Sequence, residues 1–370
     1  MYKINKPHVY YCKKKKLTSI MPQTSNKKPV RVGISIGDIN GIGPEVILKT
    51  FSDNRILDFA TPVIYSSSSL LSAHRKSLDL PAMTHTNLEE GMEPKSKTLY
   101  IKKCWDKDPI LHIGKETPEG GEYAIKSLKA ATDDLAASKI DVLVTAPINK
   151  HNVQSSEFNF PGHTEFLAKL SNVDNALMLM VADQLRVAVV SGHIPLKEVA
   201  QNLTKEKIVE SLTQLNESLT KDFGITRPKI AVLGLNPHAG DNGVIGDEEK
   251  EIIIPSISEA KGKGILAFGP YSADGFFGSS VYTHYDGILA MYHDQGLVPF
   301  KSLSFGNGVN YTAGLPIVRT SPDHGTGFDI AGKNEASESS FRNALYLALD
   351  IYRKREEYKE LTANPLQKQK

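Results

Sequence analysis

Short apolar runs alternate with longer amphipathic stretches along the chain from Pro29 onward. The runs have the length of buried strands and the stretches between them the length of helices, an alternation that is typical of βα units. Nine runs are predicted to be strands, at 30–36, 62–65, 98–101, 142–145, 177–181, 186–191, 229–235, 265–268 and 287–292. The pattern therefore predicts an α/β fold with one large and mostly parallel sheet.

Three amphipathic stretches, at 122–138, 205–221 and 341–359, are predicted to be helices that cover this sheet. In the second of them Ile208, Leu212 and Leu215 recur at helical spacing. The alternation is equally regular at both ends and in the middle of the chain. We therefore expect residues 29–370 to form a catalytic region of two lobes, one built from both ends and one central, with a cleft between them.

Length and composition narrow the class of protein. At 370 residues the chain exceeds a typical domain of about 150 residues, which agrees with two lobes. With 40% hydrophobic and 23% charged residues it has the composition of a globular protein. No apolar run approaches the roughly 18 residues of a membrane span. Only two cysteines occur, too few for a disulfide framework, so we expect a cytoplasmic protein.

The charge is unevenly distributed between the first 28 residues and the rest. Residues 1–28 hold eight lysines and no acid, which leaves 36 basic against 42 acidic residues, a net −6, in the remainder. A mildly acidic body argues against nucleic acid as a partner. The leader lacks the apolar core of a secretion signal. We predict a disordered basic leader or a mis-assigned start, with Met21 as a second possible initiation point.

Three histidines follow predicted strands almost immediately: His193, His238 and His293. If those strands are parallel, the three imidazoles lie at strand carboxyl ends, where α/β folds place their ligand sites. Three histidines with an open coordination position are a known catalytic arrangement for a divalent metal such as zinc. The alternative for each one is a capping or core histidine, but their repetition in one context favours a metal site.

A second set of residues indicates an anionic substrate. Lys301, Asn310 and Arg319 flank the glycine-rich stretch 305–310, where backbone N–H groups and fixed cations could hold a phosphate or carboxylate. Thr164 follows a Pro-Gly-His turn that resembles a helix start, and a helix N-terminus also attracts anions. An ordinary turn and an ordinary helix cap are the alternatives. No G-x-G-x-x-G or P-loop occurs, which disfavours a Rossmann dinucleotide site and a P-loop kinase.

Eight segments, in chain order, carry a resemblance to a known family. They are 37–45, 145–150, 161–166, 235–240, 269–274, 291–296, 306–310 and 319–325. Together they resemble the 4-hydroxythreonine-4-phosphate dehydrogenase family of pyridoxal phosphate biosynthesis, over about residues 29–352. Ile39 departs from the family pattern, in which many members have proline, and the leader has no counterpart.

The resemblance implies an isocitrate/isopropylmalate-dehydrogenase-like fold, a homodimer whose active site is shared across the interface, and two cofactors. These are NAD or NADP, bound without a Rossmann loop by residues that remain unassigned, and a divalent metal (zinc, magnesium or cobalt). The implied metal ligands are His193, His238 and His293. The implied substrate contacts are His163, Thr164, Lys301, Asn310 and Arg319, with Asp274 reaching across the interface.

The implied reaction oxidises 4-phosphohydroxy-L-threonine to 2-amino-3-oxo-4-phosphooxybutanoate, which decarboxylates to 3-amino-2-oxopropyl phosphate. His163, Lys301 or a metal-bound water could act as the general base. One alternative is a 4-phosphoerythronate or 4-phosphothreonate dehydrogenase of sugar-acid catabolism, which would keep every motif. Two others are a phosphate acyltransferase of the same fold and a non-catalytic metal-binding protein. The sequence leaves the choice between NAD and NADP, the metal and the substrate's C2 group open.

Overall fold

Twelve strands join into one continuous sheet within residues 29–155 and 158–364, the part of the chain that the computed structural model describes. The strands are β1 (Val30–Ser35), β2 (Ala60–Ser66), β3 (Thr86–Asn87), β4 (Tyr100–Lys103), β5 (Val142–Thr145), β6 (Leu177–Ala182), β7 (Leu185–Ser191), β8 (Lys229–Leu233), β9 (Leu266–Tyr271), β10 (Gly287–Tyr292), β11 (Val309–Ala313) and β12 (Arg319–Pro322). The predicted leader, residues 1–28, lies outside the described residues.

Ten α-helices of the same described ranges accompany the sheet. They are α1 (Gly43–Thr50), α2 (Ser68–Ser77), α3 (Pro118–Ala136), α4 (His163–Leu170), α5 (Val199–Asn202), α6 (Lys205–Lys221), α7 (Ile254–Gly262), α8 (Ala273–Gly278), α9 (His293–Ser304) and α10 (Ser339–Thr362). None of the described helices combines the length and the apolar character needed to cross a membrane.

The sheet consists of two parallel sets joined by an antiparallel seam. Its strand order is β3-β4-β2-β1-β5-β12-β11-β6-β7-β10-β8-β9. The six strands from β3 to β12 are mutually parallel, as are the four from β7 to β9, while β11 and β6 pair antiparallel with their neighbours. The first set combines strands from the N-terminal part with β12 from near the other end. The division into two lobes stays a prediction, because the sheet runs through without a break.

Local sequence explains where the long helices begin and which face they bury. Thr117 caps α3 by accepting a hydrogen bond from the Gly120 N–H, and Thr204 caps α6 through the Lys207 N–H. Helix α6 buries Ile208, together with Leu212, Leu215 and Leu219 of the same stripe, against the sheet. Strand β2 is buried along its whole length, as a strand covered on both faces must be.

The sequence pattern located nine strands and three helices that the structure contains, with ends displaced by a few residues. It missed β3, β11 and β12. Strand β11 lies between Gly308 and Gly314, and the four-residue β12 begins with an arginine and ends with a proline. Both sequences therefore look like loops. They form strands because they pair with neighbouring strands and because α10 packs on them. The predicted α/β class is confirmed.

Candidate active site

A cleft of about 260 Å³ opens beside the antiparallel seam of the sheet. Strands β5, β7 and β10 end at it, β6, β11 and β12 form its floor, and the first turn of α4 closes one side. A volume of this size suits a small molecule. Its walls include seven of the nine residues predicted to act: His163, Thr164, His193, His293, Lys301, Asn310 and Arg319.

Arg319 provides the strongest electrostatic feature of the cleft. Its side chain is 3% exposed and donates through Nε and Nη2 to the Thr145 hydroxyl, at 3.1 and 2.7 Å, and through Nη1 to the Thr312 hydroxyl, at 3.2 Å. These partners are neutral, so they orient the guanidinium without neutralising it. Burial lowers the pKa of Arg319 to about 10, the Glu165 charge partly opposes this, and the guanidinium remains charged at neutral pH. A buried cation beside a cleft is stabilised when an anion binds there.

Three polar atoms of the cleft residues are buried without a hydrogen-bond partner. They are Nε2 of His163, the first residue of α4, Oδ1 of Asn310 on β11, and Nε2 of His324 after β12. Burial, and then the Arg319 charge, hold the pKa of His163 well below its usual value, so the ring is neutral. Unsatisfied buried polar atoms are costly, and a polar ligand in the cleft would satisfy them.

Two further residues add polar groups at the edge of the cleft. Lys301 lies on α9, is exposed, and donates to the Asp323 carbonyl oxygen at 3.1 Å. Thr164 follows His163 in the first turn of α4, where free backbone N–H groups favour an anion. Together with Arg319 they surround the cleft with groups suited to a phosphate or a carboxylate.

His193 and His293 meet at the other end of the cleft. They follow the neighbouring parallel strands β7 and β10, and their ring centroids are 5.8 Å apart. Asp294 lies 2.7 Å from Nδ1 of His293, and Glu165 lies 3.9 Å from Nδ1 of His193. The short contact with Asp294 can orient the His293 ring as carboxylates orient metal-bound histidines, whereas 3.9 Å between Glu165 and His193 exceeds hydrogen-bond distance.

His238 and Asp274 lie apart from the other predicted residues. His238 also follows a strand of the same parallel set, β8, but neither residue lines the cleft. Both are exposed and close to each other: the Ser272 hydroxyl lowers the pKa of Asp274, and His238 contributes to the same shift. Among the described residues, no group of three or more His, Cys, Asp or Glu side chains could hold a metal ion. One chain thus brings together two of the three predicted ligands.

Lys150 and Glu165 line the cleft although no role was predicted for either of them. Lys150 Nζ is 3.4 Å from Nε2 of His193, and the neighbouring His193 lowers the pKa of Glu165. Both residues lie in segments that carry the family resemblance, 145–150 and 161–166. Neither a lysine in a loop nor a glutamate in the first turn of a helix has a distinctive spacing, so only their placement in space identifies them.

A buried polar loop after β1 supports the Lys150 side of the cleft. The Asp38 N–H donates to the Pro147 carbonyl oxygen at 2.9 Å, and Asn152 donates through Nδ2 to the Asp38 carboxylate at 2.7 Å. Gly37 has φ +71°, and a Cβ there would lie 2.3 Å from the Pro147 oxygen. The loop at 37–43 therefore fixes residues 147–152, which include Lys150.

The α/β fold and a cleft with a buried arginine whose hydrogen-bond partners are all neutral indicate an enzyme that acts on a small anionic molecule. The comparison with known proteins gives the particular family. Residues 58–348 match the family model described as pyridoxal phosphate biosynthetic protein PdxA, and the chain belongs to this family.

Relatives and solved structures agree with this assignment. The chain is 53% identical over 344 residues to 4-hydroxythreonine-4-phosphate dehydrogenase of Bacteroides thetaiotaomicron, covering 92% of this chain and 93% of the relative. It is 36% identical to D-threonate 4-phosphate dehydrogenase of Pectobacterium atrosepticum, covering 86% and 98%. The crystal structure of 4-hydroxythreonine-4-phosphate dehydrogenase from Klebsiella pneumoniae superposes with a TM-score of 0.76 at 33% identity, covering 89% and 99%. The chain is thus an enzyme of this dehydrogenase family.

Proposed function

We propose that the chain oxidises 4-phosphohydroxy-L-threonine with NAD or NADP and a divalent metal. The product is the β-keto acid 2-amino-3-oxo-4-phosphooxybutanoate, which loses carbon dioxide to give 3-amino-2-oxopropyl phosphate. This places it in pyridoxine 5'-phosphate biosynthesis. The observation that carries the proposal is Arg319, a buried guanidinium with neutral partners at a cleft of small-molecule size. The relative of 53% identity, named 4-hydroxythreonine-4-phosphate dehydrogenase, supports the amino-acid substrate.

The residues of the chain fit a divalent metal, provided that a second copy completes the site. His193 and His293 offer two imidazoles whose Nδ1 atoms face carboxylates. His238 is exposed at the end of a neighbouring strand, beside Asp274. In a homodimer with a shared active site, His238 and Asp274 of one copy would complete the cleft of the other. When bound, the metal stabilises the substrate oxygen and the nicotinamide accepts the hydride.

The side chains of the cleft then have distinct tasks. Arg319, with Lys301 and Thr164, holds the phosphate and orients the substrate. Asn310 offers a buried amide oxygen for a substrate donor. His163 is neutral, and its free Nε2 is available to accept the proton of the substrate hydroxyl. An anion beside Arg319 offsets the charge that helps to lower the pKa of His163, so substrate binding makes His163 a stronger base.

A second candidate substrate is a phosphorylated acid without the amino group, 4-phosphoerythronate or 4-phosphothreonate. The 36% identical relative named D-threonate 4-phosphate dehydrogenase favours this alternative. Both substrates present the same phosphate to Arg319 and Lys301 and carry the same carboxylate, so the two activities differ only in the group at C2.

The test is the formation of reduced nicotinamide by the purified protein. We expect turnover with 4-phosphohydroxy-L-threonine to exceed turnover with 4-phosphoerythronate and 4-phosphothreonate, to stop on chelation, and to return with zinc, magnesium or cobalt. Parallel reactions with NAD and NADP identify the cofactor. A preference for a non-amino acid would move the chain to sugar-acid catabolism, and absence of turnover on all three substrates would contradict the proposal.

A further inference from the structure

The segment that carries His238 is held in an unusual backbone conformation. Five successive residues, 238–242, have positive φ. Four of them are not glycine: His238, Ala239, Asp241 and Asn242 have φ between +40° and +56°, and Gly240 has φ +77°. A left-handed conformation costs roughly 1–2 kcal/mol for each non-glycine residue, and such residues rarely follow one another. The segment 237–243 therefore requires support from outside itself.

The support comes from a buried carboxylate, Glu249, which is 3% exposed. Its Oε1 accepts hydrogen bonds from the Leu235 N–H at 2.7 Å and the Asn236 N–H at 2.8 Å, and its Oε2 accepts one from Asn236 Nδ2 at 3.0 Å. Glu249 begins a single π-helical turn, Glu249–Ile253, a distortion frequently found at functional sites. The carboxylate thus fixes the backbone immediately before the left-handed segment.

The segment is also shaped to fit around this carboxylate. A Cβ at Gly240 would lie 2.5 Å from Glu249 Oε2, and a Cβ at Gly234 would lie 3.0 Å from Oε1. By contrast, the outer side has little packing, since His238 and Val244 are exposed. Glu249 therefore holds the buried side of the segment, whereas the other side is exposed to solvent.

We propose that Glu249 is a positioning residue that shapes the segment 237–243 and so presents His238 to the metal. This inference rests on the proposed function, because the metal role of His238 belongs to it. Glu249 itself lies behind the segment and acts only through it. The carboxylate binds the N–H groups of Leu235 and Asn236 and so fixes the backbone there. The chain then continues in the left-handed conformation around Gly240, which holds the His238 imidazole on the exposed side of the segment.

The experiment compares Glu249→Gln and Glu249→Ala with the wild type, His238→Ala and the matched control Glu251→Gln, an exposed glutamate of the same π-helical turn. Cobalt binding is measured by calorimetry and by the visible spectrum of the bound cobalt. Removing an outer partner of a metal ligand typically weakens affinity 10–100-fold. We expect about 10-fold weaker binding for Glu249→Gln, which keeps one acceptor, and about 100-fold for Glu249→Ala.

Hydrogen exchange of the metal-free protein provides a readout that is independent of activity. We expect faster exchange at the Leu235 and Asn236 amides in Glu249→Ala, a smaller increase in Glu249→Gln, and unchanged exchange in Glu251→Gln. If Glu249→Ala does not fold, Glu249→Gln alone decides the outcome.

The outcomes separate this inference from the function on which it rests. If the wild type binds cobalt and His238→Ala loses it, wild-type affinity and spectrum in Glu249→Gln would overturn the role of Glu249 alone. If His238→Ala binds cobalt as the wild type does, the metal role of His238, and with it the proposed site, is wrong.

Discussion

The two halves of the predicted site differ in how they are built. The half around Arg319 and His163 is buried, is held by hydrogen bonds within one chain, and contains polar atoms that lack partners. The half around His238 and Asp274 is exposed and lies on a left-handed segment outside the cleft. A buried half can recognise the substrate within a single chain, whereas an exposed half acts only when something covers it. The difference predicts that substrate recognition needs one chain, whereas the proposed metal site needs a second copy.

The largest effect that we expect is the loss of turnover when a histidine of either half is removed. His238→Ala and His293→Ala should each lower metal-dependent turnover by about 10³-fold or more, because each removes a metal ligand. A hybrid dimer purified after co-expression of the two variants with different tags keeps one intact site of two, and should recover about half of the wild-type activity. Turnover in the hybrid as low as in the parents would show that both histidines act within one chain.

A smaller effect should appear when the buried half alone is changed. Arg319→Met should lower kcat/KM by about 10²-fold, since it removes a buried charge-assisted contact to the anion. Inorganic phosphate should raise the Tm of the wild type and not that of the variant. Arg342→Met, which removes an arginine of α10 that pairs with Glu338 just before this helix, is the matched control. An equal phosphate-induced rise in Tm for Arg319→Met and the wild type would contradict an anion site at Arg319.

The smallest effect concerns the stability of the fold, through a buried histidine outside the cleft. His74 on α2 is 2% exposed, and burial lowers its pKa to about 4, while a hydrogen bond to Ile39 in the 37–43 loop partly opposes this. The unfolded imidazole titrates near pH 6.5. Between these values the unfolded chain binds the extra proton, so stability falls as the pH decreases, by about 2 kcal/mol at pH 5.

Urea denaturation from pH 7 to pH 5 measures this loss. His74→Gln should remove it, because glutamine does not titrate, and His85→Gln, at an exposed position, should leave it unchanged. A loss of the same size in His74→Gln would mean that other groups cause the acid sensitivity.

The sequence by itself determined the α/β class, most strands and the strand-end position of all three histidines, because hydrophobic periodicity is a local property and parallel strands share their carboxyl-end geometry. It also predicted a role for Arg319 from its place beside a glycine-rich stretch, and for His163 from the family resemblance. It could not show that Arg319 is buried among hydroxyls, since its partners Thr145 and Thr312 come from other strands. Strands β11 and β12 were missed for the same reason.

Only the tertiary structure decided which of the predicted residues meet. His193 and His293 follow neighbouring strands and come together, whereas the segment of His238 turns away in a left-handed conformation around Glu249. Lys150 and Glu165 also line the cleft, although their spacing in the sequence did not predict this position. These are contacts between residues distant in the chain, and they depend on strand order, burial and backbone conformation, which no local pattern of residue types contains.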